Sequence, residues 1–284
     1  MKNIKNIFIR KTLNNPILLL IITAFLGTIY LTLVWKTRSN LVMSGLFVFV
    51  VSFMVWEKRR DLNLESSLIA KLVGALLIIL MLLKLSPPLF RGSPLLFSLV
   101  QRSPIASVQV SFFIFAISLA IIASGFQGLK QYWKELIIIF LFSISSVVLF
   151  FLLDISLITA KFSALLLWYL GFQVYLEDVS IYLPTGSVIV NKGCAGLYTI
   201  NYLLAISAVL IFMFPLRRIY TIIVPILAII IGFVVNGFRV ALMAILVANN
   251  EIPAFNYWHT GDGSLIFSMI ASLILVIFYF FLIP

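Results

Sequence analysis

Apolar stretches of about 20 residues recur along the whole chain, separated by short polar or proline-rich breaks. They fall at 16–35, 41–56, 68–83, 105–126, 136–153, 197–214, 219–248 and 264–282. Each is read as a helix, so the expected class is an all-α polytopic membrane protein with about eight transmembrane helices. The run 219–248 would make a straight helix of about 45 Å, against a hydrocarbon core of about 30 Å. It must tilt, project or break, and Asn236-Gly237 is the expected break. The first stretch is too long for the core of a signal peptide and lacks a small-residue cleavage site, so it is read as a retained span.

Three segments do not fit the repeat. Residues 86–104 are proline-rich and cannot be one helix, with room for a short interfacial piece near 95–100. Residues 162–172 are apolar but half a span long, suited to the interface or to re-entry. Residues 174–190 have strand-type composition on both sides of Pro184-Thr185-Gly186, which predicts a small β-hairpin outside the hydrocarbon, just before the 197–214 helix. No soluble domain can be cut out. The chain reads as a single integral membrane domain, 1–284, with a five-span part at 1–153 and a three-span part at 154–284.

Composition agrees. Of 284 residues, 63% are hydrophobic and 10% charged, with a mean hydropathy of +1.20. The net charge of +11 has no basic face with interleaved aromatics, which argues against a nucleic-acid partner. The cations cluster between apolar runs, where they set topology. Lys2, Lys5, Arg10, Lys11, Lys58, Arg59, Arg60, Lys71, Lys130, Lys134, Arg217 and Arg218 fall on the side of the N-terminus. Lys36, Arg38, Lys84, Arg91, Arg102, Lys161 and Lys192 fall opposite. The bias favours both termini in the cytoplasm of a cell-membrane protein.

That orientation places Cys194, Arg239 and His259 together at the outer leaflet. Cys194 is the only cysteine and His259 the only histidine, which argues against a disulfide, a CxxC pair or a multi-histidine metal site. No metal or cofactor is called for. Cys194 lies in Asn191-Lys192-Gly193-Cys194-Ala195-Gly196, at the start of a helix. A helix N-terminus and the Arg239 cation would both lower its pKa and make it a nucleophile. Gly193 and Gly196 would admit a substrate backbone. The bland alternative is a small buried hydrophobe. Arg239 sits in an otherwise apolar helix and would bind a substrate carbonyl or an oxyanion, unless it only snorkels to headgroups. Asn236 shares its face. His259 would be the general acid and base, with Asp262 orienting it or only capping the next helix in competition with Ser264.

Cys194-Ala195-Gly196, Asn236-x-x-Arg239 and His259, in this order at helix ends, resemble the exosortase/archaeosortase family of membrane cysteine transpeptidases. Leu183-Pro184-Thr185-Gly186-Ser187, the stretch Val235-Asn236-Gly237-Phe238-Arg239-Val240-Ala241-Leu242-Met243-Ala244, and Tyr257-Trp258-His259-x-Gly261-Asp262-Gly263-Ser264 look like the cyanobacterial branch, the cyanoexosortases, most like the type called A. The resemblance is specific from about Gly171 onward. The family often has Ser five residues after the cysteine; Thr199 keeps a hydroxyl there. The resemblance implies a membrane protease or transpeptidase acting on exported proteins. Their C-terminal signal carries a Pro-Glu-Pro-like motif, a transmembrane helix and a basic tail. Cys194 would form a thioester, His259 would move the protons, and Arg239 would stabilise the thiolate or oxyanion. Membrane lipids would surround the enzyme, and the acceptor is left open as water, amine or lipid.

Two other readings compete. A transporter or channel would line a polar path with Arg239 and Asn236, and predicts internal repeats that the chain lacks. A structural subunit or lipid-modifying enzyme would use His259 but not Cys194.

Overall fold

The computed structural model describes residues 16–37, 41–85, 104–260 and 263–282. All eight predicted spans are helical: α1 Pro16–Lys36, α2 Leu41–Glu57, α3 Leu68–Leu85, α4 Pro104–Gly128, α5 Trp133–Leu152, α7 Leu197–Met213, α8 Tyr220–Ala248 and α10 Gly263–Phe281. Two further α-helices, α6 Ser156–Tyr169 and α9 Ile252–His259, a 3-10 turn at Leu129–Tyr132, and strands β1 Tyr175–Glu177, β2 Ser180–Leu183 and β3 Gly186–Ile189 are also present. Among them, four helical stretches are long and apolar enough to cross a membrane: Leu68–Leu85, Val108–Ser143, Tyr220–Ala248 and Gly263–Phe281. Shorter apolar helices accompany them. The chain is an all-α polytopic membrane protein with a small sheet. The proline-rich segment 86–103 and its suggested interfacial piece lie outside the described residues.

The contacts divide the chain into two units, Met1–Ile144 and Ser145–Pro284. In the first, Gly74 of α3 lets the helix approach α4. A Cβ there would lie 2.6 Å from Ile122 Cγ1 and 2.8 Å from the Ser118 carbonyl oxygen. Such close approach through a small residue is how helices associate where lipid removes the hydrophobic drive. Tyr30 stacks on Phe112, and Phe47 on Phe142. Lys58, from the charged loop after α2, donates to buried Glu135 at 2.7 Å. An apolar cavity of about 530 Å³ lies among α1, α2, α4 and the first turns of α5.

The second unit is assembled on α8. Gly232 packs on the backbone of α7, its would-be Cβ 3.0 Å from Ile200 Cα. Gly237 accepts the Phe162 ring of α6, its would-be Cβ 2.3 Å from Phe162 Cδ1. This explains why Asn236-Gly237 is no break: α8 runs unbroken for 29 residues, and its glycines make room for neighbours. The half-length segment is α6, 14 residues, with buried Ser156, Thr159, Ala160, Ser163, Ala164 and Leu167 along one face.

The expected hairpin is a three-stranded antiparallel meander in the order β1-β2-β3. The additional turn, between β1 and β2 at Asp178-Val179, lacks a Gly or Pro signal; Asp178 adopts the left-handed conformation, φ 50°, that Asp tolerates. Strand alternation puts Ile181, Leu183, Val188 and Val190 on one face, packed against Ala160, Ala164 and Leu167 of α6 and Val240, Ala241 and Ala244 of α8. Tyr175, Tyr182 and Ile189 are exposed on the other. The C-terminal turns of α8 therefore extend alongside the sheet. Asn250 (φ 59°) ends α8. The segment 249–263, expected to be a loop, contains α9, which starts with Pro253 in its first turn.

Candidate active site

Cys194 lies in the turn between β3 and α7. Its N–H donates to the Asn191 carbonyl at 2.9 Å and to Asn191 Oδ1 at 3.1 Å. Three side chains thus clamp this loop. Besides Asn191, Asn236 Nδ2 donates to the Cys194 carbonyl at 2.9 Å, and Thr159 Oγ1 donates to the Ala195 carbonyl at 2.8 Å. Gly196 begins α7 with φ 101°, a conformation that favours glycine. A Cβ there would also lie 2.7 Å from Asn236 Nδ2. Gly193 leaves space for Asn191 Oδ1, 3.2 Å from where its Cβ would be. The two glycines, expected to admit a substrate, also leave room for the two asparagines that hold the Cys194 backbone.

His259 ends α9. Its Nε2 lies 3.2 Å from Cys194 Sγ. The ring stacks on Phe255 one turn earlier, with centroids 4.9 Å apart. Arg239, on α8, donates through Nη2 to the His259 carbonyl at 2.7 Å and through Nε to the Trp258 carbonyl at 3.5 Å. The guanidinium thus binds the last carbonyls of α9, groups that no intrahelical N–H can reach, and pins the histidine to α8.

Cys194, Arg239 and His259 line one cavity of about 320 Å³, together with Val240, Met243 and Val247 of α8, Phe255 of α9 and residues 187–191. Asn236 adjoins through Cys194. Thr199 lies in the first turn of α7, and among the described residues neither it nor Gly193 lines the cavity. Asp262 falls outside the described residues. Sequence reasoning missed Thr159, Asn191 and Phe255. Each carried only a weak signal: Ser156, Thr159 and Ser163 form a polar stripe at helical spacing, Asn opens a turn before Gly193, and Phe255 stands four residues before the histidine.

The electrostatics differ from the expectation. Burial pushes the Cys194 thiol up, and the opposing pull of Arg239 is smaller. The helix dipole expected to help acts within the first turn, and Cys194 stands before the start of α7 at Gly196. Burial also holds His259 below the ordinary histidine value, and Arg239 adds to that. The pair is therefore a neutral thiol beside a neutral imidazole at neutral pH. With the proton on Nδ1, Nε2 accepts from the thiol.

The chain is thus a polytopic helical membrane protein in which the Cys194 thiol and the His259 imidazole are in hydrogen-bond contact. The profile of the transmembrane exosortases matches residues 35–276, and the chain belongs to that family. Membership makes it, in general terms, a membrane-embedded sorting transpeptidase. No curated protein and no solved structure matches the chain.

Proposed function

We propose that this protein cleaves the C-terminal sorting signal of exported proteins through a Cys194 thioester. The observation that carries the reading is the 3.2 Å approach of Sγ to Nε2, between the chain's single cysteine and single histidine. His259 Nε2 takes the thiol proton as Sγ attacks the scissile carbonyl carbon. The tetrahedral intermediate expels the amine, which takes that proton from His259, and leaves an acyl thioester. Nε2 then takes a proton from the acceptor, water or an amine, as the acceptor attacks. The acyl group leaves on the acceptor and the thiol is restored.

Arg239 holds His259 in place and keeps a positive charge beside the developing oxyanion. Asn236 and Asn191 hold the nucleophile's loop still. The charge bias supports an extracytoplasmic site with both termini cytoplasmic. In the transport reading Asn236 and Arg239 would face a path, but Asn236 Nδ2 binds the Cys194 carbonyl and Arg239 Nη2 the His259 carbonyl.

The test is co-expression with an exported reporter carrying such a signal. Cys194→Ala and His259→Ala should each abolish processing, by about a thousandfold or more. Processing that survives Cys194→Ala would overturn the thioester.

A further inference from the structure

Register decides which backbone groups of β3 are already used. Gly186 pairs with Leu183 across the two-residue turn Pro184-Thr185, and Val188 pairs with Ile181. In an antiparallel pair, hydrogen-bonded positions alternate with non-bonded ones. The phase is set beyond the strand end, where the Val190 N–H donates to the Val179 carbonyl at 2.9 Å. Gly186, Val188 and Val190 therefore point their N–H and C=O groups at β2. Those of Ser187 and Ile189 point the other way. β3 is an edge strand, and among the described residues nothing pairs with these groups.

The free edge borders the site. Ser187 and Ile189 line the same cavity as Cys194 and His259. The opposite wall is apolar, made by Met243 and Val247 of α8 and Phe255 of α9. Gly186 is pressed on α8, its would-be Cβ 3.1 Å from Ala248 N and Cα, so the strand cannot swing away. An unpaired edge is a template for another strand. Here it leads to a thiol.

We infer that this edge is the substrate subsite: an extended stretch of the peptide adds to β3 as a fourth strand, bonded to the Ser187 and Ile189 backbone, and delivers its scissile carbonyl to Cys194. This rests on the nucleophile reading above and says how the peptide is held. Main-chain bonds then supply affinity. Every second substrate side chain faces the wall formed by Met243, Val247 and Phe255, so selectivity falls on alternate residues.

The chain has one cysteine, so labelling reports on the site alone. In the full-length protein in detergent, the rate of Cys194 labelling is compared for iodoacetamide, which has no peptide, and for the chloromethyl ketones of acetyl-Ala and acetyl-Ala-Ala-Ala. The tripeptide should label at least about tenfold faster than the single residue, as expected for two added hydrogen bonds. N-methylating its amides one at a time should erase that gain at alternate positions only. Ser187→Pro removes an edge N–H that β2 does not use, and should erase the gain of tripeptide over single residue; Ser187→Ala should keep it. If Ser187→Pro also loses iodoacetamide labelling, the turn has been disturbed, and the N-methyl series in the unsubstituted protein decides. Equal rates for the two ketones, or no alternation, with iodoacetamide still labelling, would overturn the strand subsite and leave the nucleophile standing. Failure of all three reagents would overturn the nucleophile itself, and the subsite with it.

Discussion

Cys194 is half-buried, and that decides its chemistry. A thiol raised by desolvation next to an imidazole lowered by it is not a preformed ion pair. In the thioester reading proposed above, the proton moves as the bond to substrate forms, so His259 acts there as a general base. The sign follows directly. His259 loses base function when protonated, and its pKa lies below the ordinary 6.5. Turnover should therefore be level from pH 7 to 8 and fall only below about 6.5. Iodoacetamide labelling should keep rising on the alkaline side, as the thiol ionises above its usual range. An acid limb centred above 7 would contradict this. Cys194, Arg239 and His259 were legible because each is rare where it stands. Thr159 and Asn191 were not, because a small polar residue in a helix or turn is ordinary until its partner is known.

At the scale of elements, α8 is the ruler of the site. Gly232, Asn236, Gly237 and Arg239 meet α7, the Cys194 loop, α6 and α9 respectively. The run does not break at Asn236-Gly237: α8 is continuous, and its C-terminal turns carry the sheet and α9. Arg239 links α8 to α9 through two carbonyls, a forked contact that a lysine point charge cannot reproduce. Arg239→Lys should lower kcat by about tenfold to a hundredfold, the value of a charged hydrogen bond. Iodoacetamide should still label Cys194, and His259 should react faster with diethyl pyrocarbonate once its helix end is loosened. Wild-type kcat in that variant would show that the fork does not position the histidine.

For the whole molecule, topology is the open claim, and the single thiol makes it direct to check. With Cys194 on the extracytoplasmic side, a membrane-impermeant maleimide should label it in intact cells, and labelling should vanish in Cys194→Ala. Labelling only after permeabilisation would reverse the orientation drawn from the charge bias.

Hydropathy alone determined the membrane class and the eight apolar helices read as spans, because in lipid the backbone must bond within the segment and a span must be apolar for about 20 residues. Rarity of type singled out Cys194, Arg239 and His259 as the candidate site. The β1–β2 turn, α9 and the continuity of α8 were decided by tertiary structure. Each depends on a neighbour: Asp178 on the strands that flank it, α9 on Arg239, and Gly237 on the Phe162 ring. The protonation state of the thiol was decided there as well, because desolvation depends on what surrounds a group in space and not on what precedes it in the chain.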